Sequence, residues 1–87
     1  MAERRRIRDM TYHGDRWIAS VAAEEQPDGV WRGHIAFFGD ATPPATHLED
    51  SLVVEALAFE ELVAQVSALS VEELQRRLSR LLKASAA

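Results

Sequence analysis

The spacing of apolar residues changes once along this chain, and that change constrains its fold more than any other feature. Up to about residue 56, apolar residues recur at every second position, which is the period of a β-strand. From Phe59 onward they recur at spacings of three and four, which is the period of an amphipathic helix. Strands that precede helices, rather than alternate with them, predict an α+β fold with an antiparallel sheet.

Three strands are predicted, over residues 7–12, 16–24 and 30–38. His13-Gly14-Asp15 and Asp28-Gly29 separate them, and both are typical turn sequences because glycine readily adopts positive φ. Connections this short predict an antiparallel meander. Trp17 and Trp31 fall on neighbouring strands of it, and we expect them to be cross-strand partners on the buried face.

Residues 39–50 are predicted to form a long loop, because Pro43-Pro44 is incompatible with a helix or a central strand. Loops of this length are either functional or loosely ordered, and we favour disorder over a rigid binding edge. Apolar alternation resumes over residues 48–56 and predicts a fourth strand, so the sheet has three to four strands.

Two C-terminal amphipathic helices complete the predicted fold and pack on one face of the sheet. The first begins near Phe59, and its apolar stripe consists of Phe59, Leu62, Val63, Val66 and Leu69. The second begins at Ser70-Val-Glu-Glu73, a capping box in which the serine hydroxyl accepts a hydrogen bond from a free amide of the first turn.

A chain of 87 residues has room for one domain, here residues 1–87. Residues 1–6 are predicted to be a frayed basic arm and residues 84–87 a disordered tail. No stretch resembles a signal peptide or approaches the roughly 18–20 apolar residues of a membrane span. Cysteine is absent. We therefore predict a soluble cytoplasmic protein that does not bind membranes.

No group of residues demands a particular chemistry. The spacing of His13, His34 and His47 matches no local metal-ligand motif, and the serines lie in no recognised nucleophile motif. The sequence therefore predicts no enzyme activity, no catalytic residues, no metal and no cofactor.

A domain of this size buries a limited share of its surface. Without disulfides, such domains commonly gain further stability by binding a partner subunit. We predict an interaction or accessory domain that acts by protein–protein binding and self-associates as a homodimer. The candidate partner-helix face is Leu74, Leu78, Leu81 and Leu82. The alternative is that both helical stripes pack within the monomer.

A nucleic-acid-associated regulator is the second hypothesis for function. Its candidate contacts are the arginines of the N-terminal arm, Arg4, Arg5, Arg6 and Arg8. Arg16 and Arg32 also flank Trp17 and Trp31, and sheet surfaces stack bases on aromatic residues in such surroundings. Against this hypothesis, the net charge is −4 and residues 35–70 carry six acidic side chains with no arginine or lysine.

Overall fold

The strands and helices of the structure follow the change in the spacing of apolar residues, and the predicted α+β architecture is confirmed. A computed structural model of the chain describes residues 1–39 and 47–86. The strands are β1 (Ala2–Tyr12), β2 (Asp15–Glu25), β3 (Trp31–Gly39), β4 (His47–Glu49) and β5 (Val54–Ala56), and the helices are α1 (Phe59–Ser67) and α2 (Val71–Ala86).

Strands β1, β2 and β3 form the predicted antiparallel meander. The first turn uses positive φ at two consecutive residues, 50° at His13 and 83° at Gly14, as a two-residue hairpin loop with the right twist requires. The second turn has Gly29 at φ 86°, and the Asp28 carboxylate accepts a hydrogen bond from the amide of Val30 at 3.0 Å.

The predicted fourth strand is divided in two. β4 and β5 lie one after the other along the same edge of β3, with Ala36 opposite Glu49 and Gly33 opposite Val54. Asp50 accounts for the break, because its carboxylate accepts a hydrogen bond from the amide of Leu52 at 3.3 Å and turns the chain away from the ladder. Of the loop predicted over residues 39–50, residues 40–46 lie outside the described residues.

The N-terminal segment differs from the predicted frayed arm, because it is paired with β2 from Ala2 onward, where Ala2 lies opposite Glu24. A β-bulge at Ile7 interrupts this ladder: Arg6 lies opposite Ser20, and Arg8 lies opposite the adjacent Ala19. The alternation of side chains therefore restarts after the bulge, which places Met10 rather than Asp9 in the core.

The C-terminal tail also differs from its prediction, because residues 84–86 continue α2 and only Ala87 lies outside the described residues. Among the described helices, none is long and apolar enough to cross a membrane. The predicted cap of α2 is confirmed: the hydroxyl of Ser70 accepts a hydrogen bond from the amide of Glu73 at 3.1 Å.

Both helices pack on the face of the sheet that carries Trp17, Val21 and Phe37. Leu74 and Leu78 are fully buried there, and Leu81 and Leu82 are partly buried against the same core. Of the leucines predicted as a partner-helix face, Leu74 and Leu78 are therefore buried within the chain, whereas Leu81 and Leu82 remain partly exposed. The apolar stripe of α2 packs within the chain because a whole face of the sheet has to be covered.

Trp17 and Trp31 are not cross-strand partners, although both belong to the face under the helices. Each stands near the start of its strand, and antiparallel pairing brings the start of one strand to the end of the next. Trp17 therefore lies opposite Gly39 and Trp31 opposite Glu25. The Trp31 ring packs against Phe59 of α1 with the ring centres 5.6 Å apart.

One ion pair fastens α2 to the segment after β4. Nη1 of Arg77 lies 2.8 Å from Oδ2 of Asp50, and the two side chains are only 16% and 8% exposed. The Asp50 amide also donates to the carbonyl of Ile35 at 2.9 Å, which fixes this residue against β3. Asp50 thus connects the sheet, the chain break and the last helix.

Candidate interaction surface

The second face of the sheet has no described helix packed on it. Because side chains alternate along strands, it carries the residues between those of the core. We call it the open face, and it consists of Arg4, Arg6, Asp9, Arg16, Ile18, Ser20, Ala22, Glu24, Arg32, His34, Ala36, Phe38, His47, Glu49 and Glu55. An antiparallel sheet can leave one face exposed to solvent, and the residues of that face then have to be explained.

The middle of the open face is built from small and apolar residues. Ser20 and Ala36 lie opposite each other and are 4% and 0% exposed, although no described helix covers them. Longer neighbours cover them instead. The Arg4 guanidinium lies 5.0 Å from the ring centre of Phe38, so the Arg4 side chain crosses from β1 over β2 to β3. His47 stacks on the same Phe38 ring at 4.6 Å.

A hollow of about 480 Å³ lies beside Ala22, between the ends of β1, β2 and β3. Its floor is alanine, and its walls include two guanidinium groups and two carboxylates, from Arg4, Arg32, Glu24 and Glu49. A lining of both signs does not favour a phosphate or another small anion. The hollow is suited to a side chain from another protein surface that carries both positive and negative charges.

Charges of opposite sign are matched across the open face. Arg6 and Arg16 both donate to the carboxylate of Asp9, and Arg32 lies 3.1 Å from Glu55. The hydrogen bond from Arg6 and the further one from Arg16 lower the pKa of Asp9 below its ordinary value. Four arginines and four carboxylates leave the surface close to neutral. Surface ion pairs like these contribute little to stability. They mainly determine the pattern of positive and negative charges that a partner would contact.

Glu49 stands between two histidines. Its Oε1 lies 2.7 Å from Nε2 of His34 and 3.8 Å from Nε2 of His47. The hydrogen bond from His34, with smaller Coulombic contributions from both histidines, holds the pKa of Glu49 below its ordinary value. Nevertheless, no three His, Asp or Glu side chains among residues 1–39 and 47–86 are placed to hold a metal ion.

The contact at Glu49 predicts that the stability of the fold depends on pH, and the direction follows from the lowered pKa of Glu49. A lowered pKa in the folded state stabilises the fold above the pKa of unfolded glutamate, and this stabilisation is lost as the pH falls through the lowered value. Carbon-detected NMR titration should therefore show that His34→Ala raises the pKa of Glu49 towards its ordinary value. His47→Ala should raise it less, because its imidazole is farther away. Equal shifts in the two variants would contradict the assignment of the hydrogen bond.

The structure divides the predicted nucleic-acid arm between the two sides of the sheet. Arg4 and Arg6 lie on the open face, whereas Arg5 and Arg8 lie on the helix side. Arg5 donates to both carboxylate oxygens of Glu60 at 2.8 and 3.2 Å, and Arg8 donates to the carbonyl of Ser67 at 3.4 Å. Neighbouring arginines on a strand cannot form one patch, because successive side chains of a strand point to opposite faces of the sheet.

The aromatic platform of the nucleic-acid hypothesis is divided in the same way. Trp17 is 5% exposed beneath the helices, and Trp31 packs against Phe59 on that same side. Arg16 and Arg32 point to the other side of the sheet. Phe38 and His47 stack on each other on the open face, and the sequence pattern gave neither of them a role there. Their places opposite each other on β3 and β4 become visible only through the register.

Comparison with protein-family models, curated proteins and solved structures finds no match to this chain. A function for this chain therefore has to be inferred from its own surface.

Proposed function

We propose that this chain is a binding domain that forms a homodimer through its open face. The proposal moves the predicted self-association from the second helix, where Leu74 and Leu78 are fully buried, to the open face. Self-association suits a domain of this size, which gains from burying further surface. The mode would be face-to-face packing of two sheets at a spacing of about 10 Å.

The observation that carries the proposal is the match of the open face to itself. A twofold axis parallel to the strands, between β2 and β3, places β1 over β4 of the second copy. The strand register then sets Arg6 against the second copy's Glu49 and Asp9 against its His47. In the centre, Ser20 meets Ala36. Twofold interfaces require self-complementary surfaces of this kind.

The apolar and edge positions follow the same rule. Ile18 of β2 meets Phe38 of β3 in the second copy, and Glu24 meets Arg32. The twist of each sheet would rotate these pairs by about 30° away from the centre, so the match is closest near Ser20 and Ala36. Opposite charges across an interface mainly confer specificity and register, and the apolar centre supplies the affinity.

The area available is of the right order. The molecule extends 40 × 23 × 19 Å. Its five strands contain 37 residues and present about 590 Å² in projection, at about 3.3 Å per residue and about 4.8 Å per strand. A standard interface takes about 800 Å² of accessible surface from each partner.

Light scattering behind a sizing column is the test, carried out from low to high micromolar concentration. The wild type should approach twice the chain mass of 9.7 kDa. Ala22→Arg adds a long cationic side chain next to the centre of the open face and should weaken dimerisation by at least about 100-fold, because it occupies space that close face-to-face packing of the sheets requires. Ala64→Arg, on the exposed surface of α1, is the matched control and should remain dimeric.

Two outcomes would overturn the proposal. A wild-type monomer at high micromolar concentration would remove self-association, and a dimer that persists in Ala22→Arg would remove the open face as its interface. The nucleic-acid alternative has a separate readout: salt-sensitive retention that falls in an Arg4→Ala/Arg6→Ala variant. The matched acidic groups of the open face and the net charge of −4 argue against that alternative.

A further inference from the structure

β1 forms one edge of the sheet, and alternation decides which of its backbone groups are unpaired. The pair Tyr12–Asp15 closes a two-residue turn, and the Glu25 amide donates to the Met1 carbonyl at 2.9 Å at the other end of the ladder. In an antiparallel pair, alternate residues direct both backbone groups towards the neighbouring strand and the residues between them direct theirs outward. Before the bulge, the outward residues are Ala2, Arg4 and Arg6.

The usable part of this edge is short. The bulge at Ile7 breaks the spacing of its backbone groups. Beyond the bulge, the side-chain amide of Gln75 on α2 donates through Nε2 to the carbonyl of Thr11 at 2.7 Å, which occupies an outward group. Bulges and covering side chains are the usual means by which proteins block strand edges. Within residues 1–39 and 47–86 they leave residues 2–6 open, enough for a strand of about five residues.

The open edge carries more basic than acidic side chains. Arg4, Arg5 and Arg6 are consecutive and exposed, and Glu3 is the single acidic residue within residues 2–6. Arg5 and Arg6 are also paired with carboxylates outside this edge, those of Glu60 and Asp9. Because side chains alternate, Arg4 and Arg6 flank the backbone groups on one side of the sheet and Arg5 flanks them on the other. A strand added here would have basic neighbours on both of its faces.

We infer that the edge over residues 2–6 binds an extended acidic segment of another protein by strand addition. Main-chain hydrogen bonds to Ala2, Arg4 and Arg6 would supply the affinity. Opposite charges in adjacent strands contribute about 0.2–1 kcal/mol per pair and would select glutamate and aspartate. A second copy of β1 fits poorly, because antiparallel pairing centred on Arg4 or Arg5 opposes arginine to arginine.

This inference is tested separately from the proposed dimer, because it depends on the outward backbone groups of β1, although the side chains of Arg4 and Arg6 also belong to the open face. The experiment uses a fluorescein-labelled peptide of seven alternating glutamate and threonine residues, titrated with the full chain at low salt. A peptide with lysine in place of glutamate is its counterpart. The glutamate peptide should bind at least about tenfold more tightly, and equal binding of the two peptides would overturn the inference.

Two substitutions separate backbone pairing from charge. Arg4→Thr and Arg4→Pro remove the same charge, but only proline removes the outward N–H, and proline is tolerated at an edge position of this kind. Arg4→Pro should weaken binding of the glutamate peptide at least about tenfold more than Arg4→Thr does. Equal effects would overturn strand addition. Thermal unfolding of both variants verifies that they fold.

Hydrogen exchange of the wild type gives a readout that needs no variant. With the glutamate peptide bound, the amides of Arg4 and Arg6 should exchange at least about tenfold more slowly. The Arg5 amide, already paired with β2, should change much less. No gain of protection at Arg4 and Arg6 would overturn the inference even if the peptide bound elsewhere.

Discussion

Replacing Leu78 with alanine should lower the free energy of unfolding by about 3–5 kcal/mol. Leu78 is fully buried in the core between α2 and the sheet, so its removal loses apolar burial and leaves a cavity. Domains of this size have total stabilities of about 4–13 kcal/mol, so the variant should be partly unfolded or close to it. Urea unfolding followed by tryptophan fluorescence measures the change, since Trp17 belongs to the same core.

Leu57→Ala is the matched control. Leu57 is 76% exposed, and its truncation should change stability by no more than about 0.5 kcal/mol. The comparison also separates the two hypotheses for α2. If Leu78 served a partner rather than the core, its variant would lose stability only at protein concentrations where the wild type is dimeric. A loss that is independent of concentration confirms the intramolecular role.

Replacing Asp50 with alanine should lower the free energy of unfolding by about 2–4 kcal/mol. The variant leaves Arg77 without its main partner at a position where that side chain is 16% exposed, and a nearly buried charge without a partner is costly. It also removes the acceptor for the amide of Leu52. Among the described residues, Nε of Arg77 has no hydrogen-bond partner, and the carboxylate of Glu73 is 3.9 Å from Nη2, so the contact that remains in the variant is a longer one.

Glu55→Ala provides the comparison with an exposed pair. Glu55 and Arg32 are about half exposed at 54% and 52%, and loss of that pair should cost no more than about 1 kcal/mol. A double variant, Asp50→Ala with Arg77→Met, should recover part of the loss because it removes both charges together. If Asp50→Ala and Glu55→Ala were equally mild, the inner pair would not fasten α2.

Local chemistry explains which parts of the fold could be predicted. The turn at His13 and Gly14, the cap at Ser70 and the helical stripe from Phe59 each depend on residues within a few positions of one another. The division of the fourth strand depends on the side chain of Asp50, and the start of β1 depends on β2. A run of arginines gives no apolar signal, so its pairing could not be inferred from the run itself.

The candidate surface was the least predictable part. Alternation alone assigns Arg32 and His34 to one face of β3, but not whether that face is covered. The contact between Arg4 and Phe38 spans three strands and 34 positions of sequence, and it requires the register of both ladders. The leucines of α2 were assigned to a partner because an apolar stripe is the same in sequence whether the chain or another molecule covers it.

The bulge at Ile7 also determines how mutagenesis of this edge should be planned. In a regular strand, the face of every residue follows by counting in twos from one known position. Here the count is valid from residue 2 to residue 6 and must begin again at Arg8, because Arg6 and Arg8 lie on opposite faces although they are two residues apart. A library meant to alter one surface should treat these two stretches as separate sets, or it will place half of its changes in the core.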